Sequence, residues 1–373
     1  MDSIIKLRRA LHRHPELSGD EKETAAEIMR FFKPLKPDSI IEGLGGNGVA
    51  AVFSAQEKGP TVLLRCELDA LPIQESIKTD YCSRKDGISH KCGHDGHMAI
   101  LAAVGAELAL NRPKRGKVVL LYQPAEENGK GANAVVSDPG FEQIKPDFAF
   151  ALHNLPGFPL GQVILRRGVS NCASRGMAVS MYGETAHASQ PVTGLSPAKA
   201  MCELLQKFSA IPSGVIPPGE NAFATVVGAR LGKKSFGTTP GKAEVWATLR
   251  SETDNTMAII VRFFEQVINA LALEHGLKVA INYEDVFQAT VNSPLAVSLV
   301  EQAAGAQSVH EPKNPFPWSE DFGQITALSE GALFGIGAGE SVPDLHNPGY
   351  DFPEELIPMA ITILLRIVDR CLA

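Results

Sequence analysis

The hydrophobic pattern of this chain changes period twice. Up to about residue 165, short near-continuous apolar runs alternate with helix-like stretches: Val49 to Phe53, Thr61 to Arg65, Val118 to Tyr122 and Phe148 to Leu152. Such runs, without polar alternation, suit strands covered on both faces by helices. From about residue 170 the period drops to two. Ala243, Val245, Ala247 and Leu249 are apolar while Glu244, Thr248 and Arg250 are polar, and Met177 to Tyr182 alternates in the same way. That pattern marks antiparallel strands with one face exposed, and two amphipathic stretches, Pro197 to Phe208 and Asp254 to Leu273, can cover the other. After about residue 286 the first rhythm returns, with a helix near Leu295 to Ala304, a strand at Leu333 to Ile336 and a C-terminal helix from Pro353. The expectation is an α/β protein. Residues 1–169 and 286–373 make one discontinuous domain, a mixed sheet flanked by helices; residues 170–285 make an inserted, smaller α+β domain. A length of 373 residues, beyond the usual span of one hydrophobic core, agrees with two domains. At the N-terminus, Ser3 to His12 suits a helix, and Ser18-Gly19-Asp20-Glu21 offers a capping box for a second helix reaching Phe32.

Cys92-Gly93-His94-Asp95-Gly96-His97 stands at the mouth of the apolar helical run Met98 to Leu110. A thiol and an imidazole two residues apart at a loop–helix junction can converge on one cation, and borderline-soft divalent metals favour sulfur and nitrogen ligands. About thirty residues on, Gln123-Pro124-Ala125-Glu126-Glu127 puts a carboxylate pair at the end of an apolar run. Metal ligands beside a spare carboxylate point to hydrolysis by metal-activated water.

The charge balance narrows the partners. A net charge of −7 argues against nucleic acid or an anionic membrane, and Arg112-Pro113-Lys114-Arg115 is a short polar turn rather than a basic stripe. No run approaches the ~20 apolar residues that cross a bilayer. Met1 to Lys6 lacks a charged segment followed by an apolar signal core. Six scattered cysteines in a chain of this size fit a reduced setting, so a cytoplasmic location is expected.

Five ordered motifs carry a resemblance: Leu64-Arg65-Cys66-Glu67-Leu68-Asp69-Ala70-Leu71-Pro72, Cys92-Gly93-His94-Asp95, Pro124-Ala125-Glu126-Glu127, Leu152-His153-Asn154 and Leu345-His346-Asn347-Pro348. Together they resemble the superfamily of di-metal aminoacylases and carboxypeptidases, and within it the branch of hippurate hydrolases and indoleacetyl–amino acid hydrolases. Leu11-His12-Arg13-His14-Pro15-Glu16-Leu17-Ser18 is similar to the start of that branch. The resemblance implies two divalent ions (zinc, manganese, cobalt or nickel) held by Cys92, His94, Glu127, His153 and His346, with Cys92 bridging. It implies that Glu126 is the general base and that Asp69 is the carboxylate that orients a ligating histidine. Gly183-Glu184-Thr185-Ala186-His187-Ala188 is similar to a segment whose histidine reaches across a dimer to the tetrahedral oxyanion, and Arg250 resembles the arginine that takes the substrate carboxylate. The implied substrate is an N-acyl amino acid or a short peptide, and the implied assembly a homodimer joined through the inserted domain.

Bland readings stand beside these. His97 suits a packing or supporting role; His12, His14, His275 and His310 suit the surface or general packing, and Cys66 the core. A structural zinc domain would need a closed ligand cluster with short spacings, whereas these ligands span most of the chain. A catalytically silent scaffold would be expected to lack the base, and Glu126 is present. A dipeptidase or carboxypeptidase with the same centre is the near alternative. Two positions depart from the family pattern: Glu67 where an aspartate is usual, and Gly237-Thr238-Thr239-Pro240 where an Asn–Val–Ile–Pro-like segment is usual.

Overall fold

A computed structural model describes residues 1–212, 214–305 and 309–373. It divides into two compact units. One comprises Met1–Ser170, Thr290–Pro315 and Glu320–Ala373, the other Asn171–Ala289 with the short segment Phe316–Ser319.

The first unit is built on an eight-stranded mixed sheet. From one edge its strands are Ser39–Leu44, Gly48–Ser54, Arg115–Gln123, Glu57–Glu67, Phe148–Pro156, Glu330–Gly339, Val163–Ile164 and Val309–His310. The central strands are the continuous apolar runs of the sequence, and they are buried on both faces. Val62, Leu64, Val118, Leu120, Phe150 and Phe334 face one core, which the helices Asp2–Arg13, Lys22–Phe32, His94–Leu110, Pro294–Ala304 and Ile357–Cys371 share. Leu63, Val119, Leu121, Ala149 and Leu333 face a second core, completed by Val135, Phe141, Ile144, Phe322 and Ile325. This is the two-sided burial that an absence of alternation implies.

The second unit carries an antiparallel sheet in the order Ala222–Leu231, Lys242–Ser251, Ala173–Tyr182, Lys278–Phe287. Ala243, Val245, Ala247 and Leu249 are buried on one face, and the helices Ala198–Phe208 and Asp254–Glu274 pack there, with Phe208 and Phe264 rings 4.6 Å apart. Thr253 caps the longer helix by accepting the Thr256 amide at 3.1 Å.

Some sequence expectations need correction. The capping box does not form. Glu21 becomes the residue preceding the second helix, the Ser18 hydroxyl donates to Asp69 at 2.7 Å, and Glu21 accepts the Gly19 amide at 2.8 Å. The last helix starts at Ile357, after a 3-10 turn over Glu354–Leu356. Asp254–Glu274 is long and apolar enough to span a membrane by length and composition, contrary to the expectation that no segment is. Its apolar stripe of Met257, Ile260, Phe264 and Ile268 is buried against the sheet of its own unit. The edge strands Ala222–Leu231 and Lys278–Phe287 have no counterpart in the sequence reading.

Candidate active site

Glu57–Glu67, Arg115–Gln123 and Phe148–Pro156 run parallel, and Glu330–Gly339 runs parallel to the last of these. Their carboxyl ends therefore open on one edge of the sheet, where open α/β sheets bind ligands. Asp69 follows the first, Glu126 and Glu127 follow the second, His153 lies near the end of the third and His346 lies in the loop after the fourth. Cys92 and His94 arrive from the start of the buried helix His94–Leu110. Gly93 enters that helix at φ +92°, and a Cβ there would lie 2.4 Å from Asn154 Oδ1, so only glycine fits the junction.

These side chains converge. Cys92 Sγ lies 3.5 Å from His153 Nε2. His94 Nε2 lies 3.9 Å from both Glu126 Oε2 and Glu127 Oε1, and His346 Nε2 lies 3.6 Å from Glu127 Oε2. The ligand atoms of Cys92, His94 and His153 lie within 4.8 Å of one another, as do those of Cys92, Glu127 and His346. Cys92 belongs to both groups. The tautomers suit ligation: His94 Nδ1 donates to the Asp69 carbonyl at 2.8 Å and His153 Nδ1 donates to the Asn154 carbonyl at 2.9 Å, which turns each Nε2 inward. The Asp69 carboxylate sits 3.6 Å from His94 Nδ1 and accepts from Ser18 and from the Glu127 amide at 3.0 Å.

The electrostatics fit a cation. Among the described residues, His94 Nε2 and Glu127 Oε1 are buried without a hydrogen-bond partner, although they face each other. Burial, reinforced by Glu127, Glu126 and Glu67, holds the Cys92 thiol well above its ordinary range, so a thiolate forms there only beside a positive charge. Burial, with Glu320, Glu127 and Asp321 close by, raises the Glu126 carboxyl well above the usual range. Glu127 is lifted to about 7, chiefly by burial. Burial disfavours the charged form of His94, but Glu67, Asp69 and Glu127 outweigh it and raise the imidazole to about 10. Burial and the neighbouring His97 keep His153 down at about 3, a neutral ligand at any ordinary pH. Thiol, imidazole and carboxylate donors, crowded and short of positive charge, match divalent ions of intermediate softness.

Behind the centre lies a layer that sequence reasoning largely missed. Arg65 is fully buried and spends its guanidinium on Glu67, on Glu320 at 2.8 Å, on Asp321 at 2.7 Å and on Gln123 at 3.0 Å. Glu67 in turn meets His97 Nδ1 at 2.7 Å, and the other His97 nitrogen meets Asn154, whose amide donates to Tyr350 at 2.7 Å. His97 thus supports the centre, as its place one turn past His94 suggests. His12 does more than general packing: it is buried between Asp95 and Glu75, each at 2.8 Å. Glu320 and Asp321, in Trp318-Ser319-Glu320-Asp321-Phe322, gave one usable signal, adjacent acids between aromatic residues.

His187 and Arg250 belong to the second unit. His187 is exposed, and its Nδ1 accepts the Ser189 amide at 3.2 Å, which leaves the ring proton on Nε2. Arg250 is half-buried and donates to the Pro317 carbonyl at 2.7 Å and to Ser319 at 3.0 Å. His187 pairs across a short ribbon with Thr238, and beside it Gly237 accepts the Ala188 amide at 3.1 Å.

Comparison with known proteins agrees with this architecture. Residues 63–370 match the model of Peptidase family M20/M25/M40. An N-acetyl-L-cysteine deacetylase of Bacillus subtilis is 30% identical over 376 residues, covering 99% of this chain and 88% of the relative. The hippurate hydrolase of Campylobacter jejuni is 28% identical, over 98% of this chain and 96% of its own. The crystal structure of Bacillus subtilis YXEP, described as a dinuclear metal binding peptidase from the M20 family, superposes with a TM-score of 0.84 at 24% identity, over 100% of this chain and 98% of that one. This chain belongs to the M20/M25/M40 peptidase family and is a hydrolase of amide bonds.

Proposed function

We propose that the protein is a metal-dependent amidohydrolase that releases an amino acid from an N-acyl amino acid. One observation carries the reading: Cys92, His94, Glu127, His153 and His346 gather at the carboxyl ends of parallel strands, with one further carboxylate, Glu126, beside His94 and Glu127. The names of the relatives, a hippurate hydrolase and an N-acetyl-L-cysteine deacetylase, support the substrate class. Two divalent ions, zinc, manganese, cobalt or nickel, would be held by those five residues, with Cys92 common to both. Bound there, they supply Lewis acidity that polarises the substrate carbonyl and acidifies a water. Glu126, whose proton affinity is raised, takes the water's proton and returns it to the leaving nitrogen. The Asp69 backbone carbonyl fixes the His94 tautomer, with the Asp69 carboxylate 3.6 Å from the same nitrogen. Arg250 takes the substrate carboxylate, and the His187 Nε2–H donates to the oxyanion.

A homodimer completes the proposal. The edge strand Ala222–Leu231 leaves Phe223, Val226 and Val227 exposed, and an unpaired apolar edge favours two-fold pairing. The second unit then serves as both lid and dimerisation element, and six free thiols suit a reducing cytoplasm.

The test is a panel of hippurate, N-acetyl amino acids and dipeptides, offered to protein stripped by chelator and then reloaded, with amine release measured. Hydrolysis of N-acyl amino acids only after reloading is expected. Reloaded protein that turns over none of them would end this reading, and turnover of dipeptides alone would move it to a dipeptidase.

A further inference from the structure

Glu126 and Glu127 stand on a loop whose backbone is demanding. Ala125 holds φ at +50°, a left-handed conformation that costs a residue with a Cβ. A Cβ on Gly131 would lie 1.6 Å from the Pro124 carbonyl oxygen, so the loop folds back on itself, and the Gly131 amide closes it on the Ala125 carbonyl at 2.9 Å. Such a loop keeps its shape only when its surroundings over-determine it.

The restraint comes from three carboxylates far apart in sequence. Glu21 accepts the Ala125 amide at 2.8 Å, and Asp69 accepts the Glu127 amide at 3.0 Å. Asp321 acts on both ends of the loop at once. One oxygen accepts the Ala132 amide at 2.8 Å, where the helix Gly131–Ser137 begins, and both face Gln123 Nε2 at 2.9 Å, where the preceding strand ends. Arg65 locks the arrangement, donating to Asp321 at 2.7 Å and to the Gln123 side-chain oxygen at 3.0 Å. The ring Arg65–Asp321–Gln123 is fully buried. It places three carboxylates, Glu67, Glu320 and Asp321, on one guanidinium, which well-packed apolar side chains would generally replace without loss of stability. Such a network is therefore weak evidence of a stabilising role.

We propose that Asp321 is a positioning residue. It clamps the ends of the 123–132 loop so that Glu126 and Glu127 face His94 and His346, while Arg65 and Gln123 hold Asp321 itself. The kinetic part of this inference rests on the proposed amidohydrolase reading; the structural part does not. Misplacing a reacting group by about 1 Å typically costs ~10²-fold in rate.

The experiment compares Asp321→Ala and Asp321→Asn with wild type in two measurements. Amide hydrogen exchange on the metal-free protein reports the loop directly. In Asp321→Ala, amides of 125–132 exchange at least about tenfold faster while the core helix Ile357–Cys371 is unchanged. Asp321→Asn, which retains one oxygen for the Ala132 amide, falls between. In metal-loaded protein, kcat for the best N-acyl amino acid drops roughly 10²-fold in Asp321→Ala with KM within about threefold, and Asp321→Asn recovers part of it. Unchanged loop exchange, or exchange rising equally in the core helix, overturns the proposal; so does a freed loop with unchanged kcat in an active enzyme. Wild type that hydrolyses nothing on the panel removes the amidohydrolase reading, and the exchange data still decide the clamp. Should Asp321→Ala fail to fold, Gln123→Leu cuts the strand-side arm together with its bond from Arg65 and leaves the Ala132 arm in place, and the same localised exchange is required of it.

Discussion

Replacing Glu126 by glutamine separates activity from stability. The amide keeps the size and planarity of the carboxylate, so the packing around this nearly buried side chain is preserved. It cannot accept a proton. Loss of a general base typically costs ~10²–10⁴-fold, about 3–5 kcal/mol of barrier. The same change relieves the metal-free protein. There the Glu126 carboxyl is raised above its ordinary 4.5 by burial and by Glu320, Glu127 and Asp321. A carboxyl that holds its proton more tightly when folded withdraws stability as pH rises past the unfolded value, and glutamine has no such penalty.

The expected outcome is therefore opposed in sign: kcat falls by ~10²–10⁴ while the metal-free Tm rises, with a gain larger at pH 8 than at pH 5. Steady-state kinetics on reloaded protein, metal analysis and thermal melts of stripped protein at both pH values give the three readings. Near-normal kcat at full metal content would refute Glu126 as the base. A Tm gain independent of pH would refute the electrostatic account of its environment.

Cys92→Ala should retain less than half the wild-type metal after dialysis, because its sulfur belongs to both ligand groups; metal analysis showing full occupancy would contradict the shared role. Metal-free wild type should lose stability between pH 7 and 9. Across that window the unfolded chain has largely released both protons, while the folded state still holds the one on His94, raised to about 10, and holds the one on Asp321 until about 8, so rising pH costs stability wherever the folded state binds more protons than the unfolded chain. His90 and His153, held near 3, act in the opposite direction but only below about 6.5. Melts flat from pH 7 to 9 would contradict this. On the proposed homodimer with His187 acting in the partner's site, co-expressed His187→Ala and Glu126→Gln chains should recover activity that neither variant has alone, since one hybrid site carries both wild-type groups; verified heterodimers without recovery would remove His187 from the partner's site.

What the sequence made legible follows from how local each signal is. Central strands such as Val118 to Tyr122 announce themselves because both faces are buried and the apolar run is unbroken. The strand Lys242–Ser251 does so because one face is covered and the other wet. Ala222–Leu231 does neither. As an edge strand largely exposed on both faces, its apolar residues obey no burial period, and nothing in the pattern separates it from a loop. The site divides in the same way. Cys92 and His94 declare themselves within three residues, whereas Glu320 and Asp321 are ordinary acids until Arg65, some 255 residues away, is buried beside them. Buried charge is balanced in three dimensions, and sequence records only one side of each pair. Glu126, Glu127 and His94 show the consequence: burial raises the two carboxyls, while Glu67, Asp69 and Glu127 raise His94 against its burial, so a motif can name the groups without stating the protonation in which they work.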